Sequence, residues 1–184
     1  MKALLQKYRS VIRFVVLFLG TYLVLTLIYS LYLSLSKGGA YPPDFITNLV
    51  AKQSSSLLNG FGVAANVVPH ETQPTMKLFV EGQYLARIIE GCNAVSIIIL
   101  FISFIISFAE KWKKTLLFIF AGAALIYGVN IIRISVLSVA LYHYPEQESL
   151  LHGIVFPGII YGMVFLLWMF WVRSLSIKAK EQNE

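Results

Sequence analysis

Polar and apolar positions along this chain fall into long blocks. Four stretches carry no charge: Phe14–Leu35, Asn93–Ala109, Thr115–Ile132 and Gly153–Val172, of 22, 17, 18 and 20 residues. A helix rises 1.5 Å per residue, so about 20 apolar residues cross a hydrocarbon core about 30 Å thick. Each stretch is read as a transmembrane helix. The second is the shortest, and the third runs on past Arg133 to Tyr142. Phe14–Leu35 is longer than the apolar core of a cleaved signal, about 7–15 residues, and Ser34-Leu35-Ser36 is a poor cleavage site. It is read as an uncleaved anchor.

The pattern shortens between the first two stretches. Gly38-Gly39 and Pro42-Pro43 mark a loop, and Asp44 is placed to cap a short amphipathic helix through about Gly60. Phe45, Leu49, Leu57 and Leu58 form its expected apolar side. Strand formers recur over Met76–Ile89 and are split by Glu81-Gly82, which predicts a β-hairpin. His143–His152 is a short second polar segment containing Pro145. The predicted fold class is an all-α polytopic membrane protein, with about four transmembrane helices and an extracytoplasmic segment holding a short helix and a β-hairpin. As one integral membrane domain it divides into a cytoplasmic segment 1–13, spans 14–35, 92–109, 115–142 and 153–172, outer segments 36–91 and 143–152, a cytoplasmic turn 110–114 and a tail 173–184.

Composition agrees with this reading. The chain is 58% apolar and 13% charged, where soluble domains are about 45–50% apolar and a quarter charged. The mean hydropathy is +0.73. A disordered chain, a coiled coil and an ordinary cytosolic enzyme are excluded. The net charge of +6 is carried by span-flanking residues, with no basic block of the kind nucleic-acid binders show. Lys2, Lys7, Arg9, Arg13, Lys111, Lys113, Lys114, Arg173, Lys178 and Lys180 all fall on one face if the N terminus is cytoplasmic. The positive-inside rule then puts both termini in the cytoplasm. No nucleotide-binding glycine motif, P-loop or paired-Cys metal motif is present, so no cofactor or metal is expected.

Three residues stand out by depth. Cys92 opens the second span at its outer end. Arg133 lies 18 residues beyond Thr115, about 27 Å along a helix that starts inside. His152 immediately precedes the last span. A thiol, a guanidinium and an imidazole therefore reach the outer boundary from three helices. Each has a plain structural reading: Cys92 as packing, His152 as a loop residue, Arg133 snorkelling to headgroups. Asn130 and Tyr127 share the helical face of Arg133, and the stripe suits an inward-facing site better than a lipid face. Ser96, Ser103 and Ser107 share a face with Cys92 and read as helix packing. Together the three groups have a chemical logic. A thiolate attacks an acyl carbon, histidine moves the proton, and a permanently charged arginine stabilises the oxyanion. Of the two outer histidines, His143 lies about 15 Å beyond Arg133 on a continuous helix, whereas His152 returns to its depth.

Glu90-Gly91-Cys92-Asn93-Ala94, then Asn130-Ile131-Ile132-Arg133-Ile134, then His152-Gly153 resemble the exosortase/archaeosortase family over about Met76 to Val172. Asn93-Ala94 stand where many members carry Ser-Gly. The short length and the hairpin before the cysteine resemble the compact exosortase F-type branch. The resemblance implies a cysteine protease with transpeptidase activity in a bacterial inner membrane, its site facing outward. Cys92 would be the nucleophile, His152 the acid/base and Arg133 the transition-state stabiliser, with Asn130 and Tyr127 in support. It further implies exported substrates bearing a C-terminal sorting tail, a membrane span followed by a basic cluster, and leaves room for a small membrane accessory protein. Other readings are a non-catalytic assembly subunit or small transporter component, in which Cys92 is inert, and a thioester-forming acyltransferase using the same triad.

Overall fold

The computed structural model describes residues 8–109 and 111–181, with side chains through Ser174. Lys2, Lys7 and Glu110 lie outside the described residues, as do the side chains of Lys178 and Lys180. Among the described residues, three helices are long and apolar enough to cross a membrane: α1 (Arg9–Ser36), α4 (Trp112–His143), and the run Pro145–Ser174 whose main part belongs to α5 (Phe156–Glu181). The remaining apolar stretch forms α3 (Val95–Ser107), a helix of 13 residues. It is about 20 Å long, shorter than the hydrocarbon core and than the span expected over 92–109.

α3 is the hub of the helical half, packing on α1, α4 and α5. Its fully buried Phe101 and Ile105 meet Ile126, Val164 and Trp171. Rings fill the rest: Phe104 stacks on Trp168 at 4.4 Å and Phe118 on Trp171 at 4.8 Å. Gly122 lets α4 approach, since a Cβ there would sit 2.3 Å from the Phe101 ring. Ser103 and Ser107 donate to carbonyls one turn back in α3 and so satisfy themselves within the helix.

The segment between α1 and α3 folds against the upper half of α4. Asp44 caps α2 (Phe45–Gly60), accepting from the Ile46 and Thr47 amides at 2.9 and 3.0 Å. A third bond, from the Tyr32 hydroxyl, ties the cap to α1. The buried side of α2 differs from the expected one. It is made of Thr47, Asn48, Val50, Ala51, Ser54, Ser55 and Leu58, while Phe45 and Leu49 are exposed. Small and polar residues let α2 lie close to α4: Ser135 donates to the Ser54 carbonyl, and the Tyr127 hydroxyl to Gln53 at 2.5 Å.

The hairpin forms as β2 (Met76–Val80) and β3 (Gln83–Ile88), and a further strand, β1 (Ala65–Pro69), joins antiparallel to give the order β1-β2-β3. Glu81 and Gly82 both have positive φ, 49° and 76°, as a two-residue hairpin loop requires. β2 alternates buried and half-buried positions, and Met76, Leu78 and Val80 face Val50, Ala51, Leu58, Ile88 and Ile134. α4 is thus a core helix of both halves.

Candidate active site

A cavity of about 380 Å³ opens where the two halves meet. Cys92, Arg133 and His152 all line it, with β3, the upper face of α4 and Glu148 completing the wall. Each side chain arrives from a different element. Cys92 ends a 3-10 turn (Glu90–Cys92) that links β3 to α3. Arg133 comes from the uninterrupted helix α4. His152 sits in a π-helical turn (Leu151–Val155) that leads into α5. Glu148 and His152, four residues apart, line the same cavity wall.

The backbone around Cys92 is held from several sides. Its amide donates to the Ile89 carbonyl at 2.8 Å, and its own carbonyl accepts from Asn130 Nδ2 at 2.7 Å. The Asn130 oxygen accepts from Arg133 Nη1 at 3.3 Å. Asn130 therefore couples the cysteine loop to the arginine, on a helix where both point one way. Asn93 is almost fully buried and bridges three elements. Its amide nitrogen donates to Tyr29 of α1 and Thr47 of α2, and its oxygen accepts from the Val95 amide at the start of α3. Ala94 follows with φ of +64°, the left-handed region that favours glycine. A sharp reversal at Asn93-Ala94 thus leaves Cys92 partly exposed at the cavity wall.

Arg133 is half-buried, and its Nε makes no hydrogen bond among the described residues. Such a buried donor is costly unless a partner of opposite charge occupies the cavity. His143, at the end of α4, lines grooves against α2 and the hairpin turn and not the Cys92 cavity. Tyr127 also stays outside the cavity; it packs against the core and bonds Gln53. The sequence reading missed Glu148, Arg87 and the Asn93 bridge. Asn93 carried a usable signal, a polar residue directly before an apolar helix, whereas the other two are placed by tertiary folding alone. No group of three or more metal-ligating side chains occurs among the described residues.

The family model described as transmembrane exosortase (Exosortase_EpsH) matches residues 6–172, nearly the whole chain. The chain belongs to the exosortase family. No curated protein and no solved structure matches it. Membership in this family goes with a membrane transpeptidase-like function, and the match spans α1, the segment between α1 and α3, and the elements that bear Cys92, Arg133 and His152.

Proposed function

We propose that this exosortase-family chain is a membrane-embedded cysteine peptidase and transpeptidase that cuts C-terminal sorting tails from exported proteins. The observation that carries the reading is the convergence of Cys92, Arg133 and His152 on one cavity. In this reading the Cys92 thiol gives its proton to His152, and Sγ attacks the scissile carbonyl. The oxyanion forms beside Arg133, whose fork of donors stays charged at any working pH. Collapse breaks the C–N bond, the His152 proton goes to the leaving amine, and a thioester remains on Cys92. Water or an acceptor amine then releases the acyl product and returns the thiol.

The site faces the extracytoplasmic side of a bacterial inner membrane, with four crossings and both termini in the cytoplasm. The Lys/Arg distribution supports this orientation. Substrates carry a membrane span and basic cluster after the cut site, and the compact F-type branch is the subtype that the hairpin before Cys92 favours. The test is mass spectrometry of exported-protein C termini in cells carrying the native chain, Cys92→Ala, His152→Ala or His143→Ala at matched membrane abundance. Uncut tails are expected with the first two variants and native processing with His143→Ala. Processing that survives Cys92→Ala overturns the reading.

A further inference from the structure

The sheet has two outer edges, and the fold treats them differently. The bonds His70 N–H to Thr75 O and Glu81 N–H to Ala64 O fix the ladder parity between β1 and β2. Residues 75, 77, 79 and 81 of the β2 segment face β1, so Met76, Leu78 and Val80 face β3. On β1 the outward positions are Ala65, Val67 and Pro69. That edge is closed: Asn59 donates to and accepts from the Ala65 backbone, Ser55 adds a bond to its carbonyl, and Pro69 has no amide hydrogen. On β3, Ala86 and Ile88 pair with Leu78 and Met76, which leaves Arg87 as the outward residue between them. No strand covers this edge among the described residues.

The open edge borders the Cys92 cavity. Leu85, Ala86, Arg87, Ile88 and Ile89 all line it. Successive strand side chains point to opposite faces, so consecutive lining residues mean that the cavity runs along the strand's edge, besides reaching the sheet face that carries Leu78. We propose that the peptide substrate binds as an added β-strand on the outer edge of β3, paired with the Arg87 amide and carbonyl. The inference rests on the peptidase reading and names how that site takes its substrate. An extended chain paired there runs toward the Ile89–Cys92 turn, bringing a backbone carbonyl to the thiol. The Ile89 carbonyl is already used by the Cys92 amide, so pairing ends at that residue. The occupant is a peptide and not a second copy of β3. Edge-to-edge pairing of two copies sets the two Arg87 charges near each other on a strand of only six residues. Apolar side chains from Leu78, Ile134, Leu137 and Leu141 favour an apolar segment beside the cut site.

The test uses the full-length protein in detergent and a thiol-reactive tripeptide, acetyl-Val-Ala-Ala chloromethyl ketone, with versions N-methylated at each residue in turn. Strand pairing predicts a period of two: methylation at alternate residues slows Cys92 labelling about tenfold or more, and at the others has little effect. Arg87→Pro removes the outward amide hydrogen without touching a bond to β2, and is expected to slow peptide labelling similarly. Arg87→Ala, which keeps the backbone, is expected to slow peptide labelling far less than Arg87→Pro does. A rate with iodoacetamide that falls far less than the peptide rate in Arg87→Pro separates a lost edge from a misfolded site. Uniform sensitivity to methylation, or equal loss in Arg87→Ala and Arg87→Pro, overturns strand addition. The peptidase reading fails separately, by tail cleavage surviving Cys92→Ala.

Discussion

At the scale of single residues, the position of Cys92 depends on the backbone on either side of it. Ala94 occupies a left-handed conformation that costs an L-residue about 1–2 kcal/mol. It is also buried, so its methyl contributes about 0.8 kcal/mol of the opposite sign. Ala94→Gly is therefore expected to change stability by less than about 1 kcal/mol and to keep labelling of Cys92. Ala94→Val has a branched side chain in the same conformation and is expected to destabilise by several kcal/mol. Thermal unfolding in detergent compares the two. Under the proposed function, Arg133 acts by geometry as well as charge. Arg133→Lys keeps the charge and loses the planar fork, and its Nη1 bond to Asn130 goes with it. Tail cleavage in that variant should fall about a hundredfold or more, the scale of losing one oxyanion donor. Near-native cleavage would leave charge alone, or contact with headgroups, as the role of this residue.

Elements were legible where one physical signal dominated. The Asp44 cap, the Glu81-Gly82 turn and the long apolar runs each have a local cause, and α2, the hairpin and α1, α4 and α5 follow from them. β1 had no such cause; five residues ending in Pro69 become a strand only because β2 is there to pair with them. The buried side of α2 was also hidden. A helix lying on a membrane protein can turn its large apolar residues outward, so the usual rule that Phe45 and Leu49 mark the core side does not hold. The contact of α3 with α4 is a test at this scale. Gly122→Ala improves helix propensity by about 1 kcal/mol. Yet its new methyl meets the fully buried Phe101 ring at 2.3 Å, too close for a small adjustment. The net effect is expected to be a loss of about 1–3 kcal/mol, read as a lower melting temperature. A rise in melting temperature would mean that the ring has room to move.

Across the whole molecule, depth along the helices was enough to bring Cys92, Arg133 and His152 to one level, and the fold adds the shared cavity that level alone does not give. Topology turns on α3, whose 13 residues cover only about 20 Å. Crossing requires the non-helical flanks to supply the remaining distance, and backbone at that depth must find partners inside the protein. The flanks meet this condition. Cys92 O is bonded by Asn130, Asn93 Oδ1 holds the Val95 amide, and the Phe108 and Ala109 amides return to Ile105 and Ile106. The flanks 90–94 and 108–109 are turns and not extended chain, and together with the residues beyond them they have to supply the remaining ~10 Å. The expectation is that α3 crosses the bilayer, with the Lys111–Lys114 segment at the start of α4 inside and Tyr144 outside. In a Cys92→Ala background, Tyr144→Cys should react with a membrane-impermeant maleimide on intact spheroplasts. Lys113→Cys should react only after lysis. Outside labelling of both positions would mean that α3 dips into the outer leaflet and returns, and that α4 enters the membrane from the same side.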